Sequence, residues 1–480
     1  MITAFRKKCT DFVNNNKEYP LLAGLSVGFY MILFYYSNNL ELFSWVQFLS
    51  FLVYYLVFPA VVIVTVAQIL RIEPLKKYTK QGIFIAMLSF FAYFIIENIA
   101  MKYAFIKVFA VAFIGIFFIS FWIKNYKAII ILVLLMTVFP IIKLGAAIST
   151  NLSNPTDWNQ QPDTILNAKF VKSPNVYFIQ VDGYANANAL KGKLCDYDNS
   201  EFDQWFQAEG FHLYDDFRSN YPSTLKSNAS CFNMKHHYSR ENSILKTAND
   251  YILGKNPVLD IFKNNGYKTL FITERPYLMS NRPKLAYNYS NFSESELPYF
   301  KDNWSLYKDI GPELKKQIAA HQKTKNFFFV QKLTPSHVSS NAMQSFGVAA
   351  ERLEYIKRLE ETNIWIKDII SYINKNDPHA IVMLGADHGS YVGFAYTSQA
   401  FKKMNDPELL QAAFGAKMAI KWNDDKALLY GNQLKTSVNL FRILFAFMSN
   451  DTKLLQNLQP DDSYNFYDPD DHTKIYKALE

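Results

Sequence analysis

Cysteine is almost missing from this chain. Three Cys occur in 480 residues, Cys9, Cys195 and Cys231, and they form no CxxC pair. A zinc ribbon is therefore excluded. Cys195 and Cys231 lie in the same half of the chain, and their spacing leaves open whether they pair. Clustered basic residues are missing too. The net charge is +8, yet there is no Lys/Arg stripe of the kind that nucleic acid requires. Internal repeats and low-complexity tracts are absent. Acidic side chains are scarce before residue 148. There Glu97, in FIIENIA, is the one that stands deep in an apolar run, and its place near the end of that run points to an interfacial position.

Apolar residues are what the chain has in quantity. Half of it is hydrophobic and 16% is aromatic, while the mean hydropathy is close to zero. That mean hides two unlike halves. Five apolar segments fill the first, roughly 20–37, 44–70, 81–99, 103–123 and 127–147. Most reach the length of about 20 residues needed to cross a bilayer. The first is too long for a signal peptide and has no small-residue cleavage site after it. Orientation follows from the loops. Arg6, Lys7, Lys8 and Lys17 precede the first segment, Arg71, Lys76, Lys77 and Lys80 follow the second, and Lys124 and Lys127 follow the fourth. The first loop, SNNLEL, has no basic residue, and the third has Lys102 and Lys107. The positive-inside rule then puts the N-terminus in the cytoplasm. With five spans, everything after residue 148 is expected outside it.

The second half reads as a water-soluble α/β domain. Residues 149–173, with Pro155 and Pro162, read as a linker. NVYFIQVDG (175–183) is a buried strand with Asp182 at its C-terminal tip. EFDQWFQAEG suggests a short helix stopped by Gly210. Asn256 and Pro257 open a helix that Gly266 ends, and a strand to Thr273 follows, a unit typical of a mainly parallel sheet. Residues 275–320 read as irregular, an insertion over the site. NFFFVQKL (326–333) is a strand followed by TPSH. A long helix is expected over 348–374, then the strand AIVMLGADHG (380–389), a late strand at 415–422 and a capped helix at 436–448.

Three places carry chemistry. Ser219 to Met234, SNYPSTLKSNASCFNM, joins an irregular approach to a helix start. Ser223 is placed as N-cap and Thr224 in the first turn, where unpaired N–H groups and the positive helix end favour an anionic oxygen. Asp182 and the pair Asp387–His388 stand at strand tips, where open α/β sheets form their ligand crevice. Two carboxylates, an imidazole and a hydroxyl suit Zn²⁺ or Mn²⁺. Taken singly, an Asp-Gly after a strand is an ordinary turn, so the reading depends on the three stretches meeting. His337 is a candidate for protonating a leaving group or holding a phosphate. Lys226 and Arg275 are weaker candidates for holding substrate anions.

These residues carry a resemblance. NVYFIQVDGYANANALK, YDNSEFDQWFQAEGF, SNYPSTLKSNASCFNM, GADHGS and SVNLFRILF resemble the alkaline phosphatase superfamily in its sulfatase-like branch, over nearly all of 174–448. Five spans before such a domain resemble lipoteichoic acid synthases and lipid A phosphoethanolamine transferases. The resemblance implies residues 1–148 as a five-helix transmembrane bundle. It implies 174–480 as an extracytoplasmic α/β catalytic domain with a mainly parallel sheet. It further implies one divalent metal on Asp182, Thr224, Asp387 and His388, with Thr224 carrying a phosphoglycerol or phosphoethanolamine group and His337 touching it. The donor is then a membrane phospholipid and the acceptor a glycan or lipid outside the cell membrane, with no nucleic acid involved. Three departures stand out. Asp182 replaces the usual Glu of those transferases. No C/S-x-P-x-R motif is present, which disfavours sulfate-ester hydrolysis. Asn363 falls where two-metal members carry Asp, which argues for one metal. A phosphodiesterase and a non-enzymatic lipid-sensing member remain the alternatives.

Overall fold

A computed structural model describes residues 2–40, 44–99, 105–123, 125–152, 158–236, 247–299, 303–468 and 471–480. Glu41, Lys102, Lys124 and Pro155, used above for loops and linker, lie outside these residues. The chain forms two compact units, Met1–Ser153 and Asn154–Glu480.

The first unit contains four helices long and apolar enough to cross a membrane: Pro20–Asn38, Trp45–Ile69, Leu75–Glu97 and Tyr126–Ser149. The fourth expected segment, at 103–123, appears as Phe105–Ile119, an apolar helix of 15 residues. That is short of a full span, and the residues just before it are not described. Among the described residues four helices meet the length and composition of a span, and a fifth is not among them. The first two pack closely because glycine allows it. A Cβ on Gly28 would stand 2.0 Å from the Tyr55 carbonyl oxygen, and one on Gly24 would stand 2.5 Å from Ala60 Cα. A π-helical stretch, Leu52–Val57, lies at this crossing.

The second unit is built on a seven-stranded sheet in the order β2-β7-β6-β1-β5-β3-β4. Its strands are β1 (Val176–Val181), β2 (His212–Leu213), β3 (Lys268–Thr273), β4 (Tyr289–Ser290), β5 (Asn326–Lys332), β6 (Ile381–Gly385) and β7 (Met418–Lys421). The pairs β1/β5, β1/β6, β3/β5 and β3/β4 are parallel, and β7 runs antiparallel to β6 and β2. β1 is buried at every position, as a central strand covered on both faces must be. Its Phe178 meets Phe329 of β5 and Phe441 of the helix Leu440–Ser449.

The stretch read as a linker is part of this unit in its described portion. Ile165 is fully buried, and Asp163 pairs with Arg442 at 2.6 Å. The 275–320 region is less irregular than expected. Ile310–Ala320 is a helix, capped by Asp309, whose carboxylate accepts from the Gly311 amide. Gly and Pro in its first turn obscured a start signal that Ile310, Leu314 and Ile318 confirm by spacing. A hairpin of β8 (Ser463–Asp468) and β9 (Asp471–Leu479) completes the chain. The Tyr464 amide donates to Asn220 O at 2.8 Å, and the Ser463 hydroxyl donates to Ser219 O. The hairpin thus braces the approach to Thr224. Cys195 and Cys231 are both buried and free.

Phe178→Ala removes a ring shared by three aromatic neighbours, Phe232, Phe329 and Phe441, at the centre of the sheet. It is expected to cost about 3–5 kcal/mol, read as a lowered unfolding midpoint of the second unit. An unchanged midpoint would show that β1 is not the core strand described here.

Candidate metal centre

Adjacent parallel strands end at one level, and this fixes the site. β1 and β6 pair in the register Gln180↔Gly385, so Asp182 and Asp387, each two residues on, emerge side by side. Asp182 is held at both ends of its peptide. Its amide donates to Lys332 O at 2.9 Å, and its carbonyl accepts from the Ser336 amide at 2.8 Å. Gly183 then turns with φ +65°, and a Cβ there would lie 2.4 Å from Ser336 O. Gly389 has a similar duty after His388. A Cβ there would lie 2.2 Å from Ala412 O, so the strand tip can approach that backbone only with glycine.

Thr224 is the first residue of the helix Thr224–Asn233, with Ser223 at the N-cap position in extended conformation. The Ser223 side chain makes no cap bond, which leaves first-turn amides unclaimed by it. Ser227 and Ser230 are helix residues. The Ser227 hydroxyl donates back to Tyr221 O at 2.8 Å, and that of Ser230 to Ser227 O.

The distances bring three of the stretches together. His388 Nε2 stands 3.3 Å from Thr224 Oγ1, 3.4 Å from Asp182 Oδ1 and 3.5 Å from Asp387 Oδ2. Asp182, Asp387 and His388 offer ligand atoms within 4.8 Å of one another, and all three are buried. Asp387 Oδ1 accepts from the Gly183 amide at 3.2 Å. The other two oxygens, Asp182 Oδ1 and Asp387 Oδ2, are buried without a hydrogen-bond partner. Buried carboxylate oxygens are costly in that state. His388 Nδ1 lies 2.8 Å from Gly389 O, so the proton sits there and Nε2 presents a lone pair. Two orphaned carboxylate oxygens, one bare imidazole nitrogen and one hydroxyl face one another. That set fits a divalent cation of the Zn²⁺ or Mn²⁺ type.

The charges bear this out. Burial, reinforced by the Asp387 carboxylate, pushes the Asp182 carboxyl up to about 8. Burial lowers His388, but Asp387 and Asp182 outweigh it and hold the imidazole above its ordinary value. His337, largely buried at the cavity wall, is pushed down to about 4 by that burial and by the His388 ring. His337 Nδ1 lies 2.7 Å from Val338 O, and its ring is 5.7 Å from that of His388. Arg358 fixes this loop by donating to Pro335 O and His337 O.

A cavity of about 240 Å³ opens onto Thr224, His337 and His388, with Tyr277, Tyr391 and Ser340 also on its wall. Tyr277 and Tyr391 were not singled out from sequence. The Tyr277 hydroxyl accepts from Gln331 Nε2 at 2.8 Å and lies in hydrogen-bonding reach of Thr224. Tyr391 stacks on His388 at 5.0 Å and donates to Pro222 O. The sequence signal for Tyr391 was its place three residues after His388, and Tyr277 had none beyond a Tyr-rich segment. Lys226 is buried, with its ammonium 4.9 Å from the Phe466 ring centre, and does not line the cavity. Arg275 donates to Trp304 O and lies over Tyr307, also away from the wall. Asn363 spends its amide on Tyr184 and Asn199.

The model of the sulfatase family matches residues 174–448, more than half of the chain. The chain belongs to the sulfatase family. Solved structures similar to this sulfatase-family protein include the C-terminal periplasmic domain of EcEptC from Escherichia coli in complex with Zn. It is 10% identical with a TM-score of 0.43, and the match covers 64% of this chain and 93% of that one. The phosphoethanolamine transferase EptC domain from Campylobacter jejuni is 16% identical with a TM-score of 0.38, covering 57% and 89%. Integral membrane EptA, the lipooligosaccharide phosphoethanolamine transferase from Neisseria meningitidis, is 12% identical with a TM-score of 0.40, covering 86% and 77%. No curated protein matches the chain significantly. The family assignment rests on the sulfatase model and not on these distant likenesses.

Asp182→Asn separates stability from metal uptake. Asp182 sits near 8 in the folded, metal-free domain, against about 4 when unfolded. The stability it contributes is complete below about pH 4 and lost as pH rises through 8. Asp182→Asn is therefore expected to melt above the metal-stripped parent at pH 8. The parent gains about 2.7 kcal/mol at Zn²⁺ or Mn²⁺ concentrations 100-fold over Kd, and the variant is expected to gain little. Thermal melts with and without metal check both. An equal metal-induced rise in the variant would remove Asp182 from the ligand set.

Proposed function

We propose that this protein is a metal-dependent transferase. It moves a phosphoglycerol or phosphoethanolamine group from a membrane phospholipid to a glycan or lipid acceptor outside the cytoplasm. The observation that supports this best is Thr224 Oγ1, at a helix start, 3.3 Å from His388 Nε2 and beside two orphaned carboxylate oxygens. A bound divalent ion would lower the pKa of the Thr224 hydroxyl and neutralise an anionic phosphoryl oxygen. Asp182, Asp387 and His388 would hold it.

Thr224 Oγ then forms a bond to phosphorus, and the P–O bond to diacylglycerol breaks, that oxygen taking up a proton. First-turn amides and the helix dipole favour the added negative charge. An acceptor hydroxyl next attacks phosphorus and releases Thr224. His337, held neutral, suits holding the group by Nε2 rather than protonating a leaving oxygen. Four apolar helices agree with a lipid donor that never leaves the membrane, and a fifth span with an inside N-terminus would place the domain outside. The absence of a C/S-x-P-x-R motif sets this reading apart from sulfate-ester hydrolysis within the same family. Water in place of the acceptor would make the protein a phosphodiesterase.

Mass analysis of the full chain incubated with phosphatidylglycerol or phosphatidylethanolamine is expected to find the head-group adduct on Thr224. Thr224→Ala should lose the adduct and at least roughly 10³-fold of the transfer rate. Asp387→Ala should lose bound metal and the adduct together. Transfer that persists in Thr224→Ala would end the covalent mechanism.

A further inference from the structure

The Thr224 hydroxyl has a second neighbour besides His388, and its hydrogen bonds have a direction. His388 keeps its proton on Nδ1, toward Gly389 O, so the Thr224 hydroxyl donates to Nε2 at 3.3 Å. A hydroxyl has one proton and two lone pairs, so a further partner of Thr224 Oγ has to donate to it. Tyr277 stands in that place on the cavity wall, within hydrogen-bonding reach of Thr224. Its hydroxyl accepts from Gln331 Nε2 at 2.8 Å, which leaves its own proton for Thr224. Tyr391 and Thr397, on the same wall, spend theirs on Pro222 O and Ser340 O. The position of Tyr277 is built, not incidental. It opens the short turn Tyr277–Met279 after β3, anchored by the buried Leu278 and Met279. Its ring stacks on Trp304 at 5.0 Å. Gln331 of β5 also donates to Gln180 Oε1, and Gln180 pairs with Asn228 of the helix that Thr224 begins. One run of amides therefore holds Tyr277 and Thr224 in register.

We propose that the Tyr277 hydroxyl is a catalytic hydrogen-bond donor for the second half of the transfer, the step that frees Thr224. This rests on the reading of Thr224 as the nucleophile given above. In that step an acceptor oxygen forms its bond to phosphorus and the P–Oγ bond breaks. The electron pair of the broken bond goes to Thr224 Oγ, and the acceptor's proton ends there. Tyr277 keeps its own proton throughout. Negative charge grows on Oγ as the bond breaks, whereas the ester oxygen of phospho-Thr is a poor acceptor. A donor already aimed at Oγ therefore binds this transition state more tightly than the intermediate before it. In the first half the charge on Oγ falls as its bond to phosphorus forms, and the same hydrogen bond gives no acceleration. Phe in place of Tyr277 retains the ring and its stack on Trp304, so Tyr277→Phe isolates the hydroxyl.

Intact mass spectrometry over time, on the full chain in detergent micelles with Zn²⁺ and phosphatidylethanolamine or phosphatidylglycerol, separates the two halves. Water serves as the acceptor, since its attack breaks the same P–Oγ bond. Tyr277→Phe is expected to load Thr224 at about the parent rate and to release the head group roughly 10²-fold more slowly. The adduct then accumulates in the variant where the parent clears it. A merely structural role for Tyr277 would instead slow loading and release together. Gln331→Met removes the amide that orients the Tyr277 hydroxyl and leaves the cavity wall in place, and it should slow release by a smaller factor. It decides the matter if Tyr277→Phe does not show the parent's metal-induced thermal rise. Release at the parent rate, or loss of loading and release together, would overturn the assignment. A parent that never carries an adduct on Thr224 would overturn the reading of Thr224 as nucleophile, and the role of Tyr277 with it.

Discussion

Two carboxylates buried side by side are the constraint on which the second unit depends. Asp182 and Asp387 leave adjacent parallel strands at the same level, and neither can turn to water. Each has an oxygen with no hydrogen-bond partner, and burial together with its neighbour holds Asp182 far above the carboxylate range. Like charges at this depth are tolerated only with a compensating cation or a shared proton. The metal-free site is therefore a store of unfavourable electrostatics that a divalent ion reverses.

The surroundings are arranged to leave that charge alone. Beneath the site, Gln180 of β1 exchanges two hydrogen bonds with Asn228 of the Thr224 helix, at 2.6 and 2.9 Å. Gln331 of β5 donates to Gln180 and to the Tyr277 hydroxyl. This ladder of neutral amides ties helix to sheet without adding a competing charge, and each member satisfies the next. It sets the height of Thr224 relative to the strand tips. The ion pair at the end of β5, Lys332 with Glu274, neutralises itself.

The first unit follows a different rule. Its helices meet through Gly24 and Gly28, and a cluster of acid and phenols, Glu97 with Tyr54 and Tyr93, lies at the end of an apolar fissure. In lipid, such polar groups must find partners locally. In the second unit, sheet and helix ends converge on two carboxylates, an imidazole and a hydroxyl; in the first, a helix face runs from an apolar wall to a carboxylate.

The sequence by itself determined the apolar and polar halves, the order of the main strands along the chain and the candidacy of Asp182, Thr224, Asp387 and His388. Those features are local. Apolar length, period-two runs ending in Asp-Gly or Asp-His-Gly, and an N-cap before Thr224 all lie within a few residues of each other. The tertiary structure alone decided what is non-local. It paired β1 with β6, put an imidazole nitrogen 3.3 Å from the Thr224 hydroxyl, and brought in Tyr277 from a segment with no signal of its own. It also took Lys226 and Arg275 away from the cavity wall, because their cations lie against aromatic rings instead. Gly and Pro in its first turn hid the helix Ile310–Ala320, whereas the packed segment before β1 and the C-terminal hairpin escaped the sequence reading for the same reason. Their stability comes from burial against distant residues, and no local pattern records that.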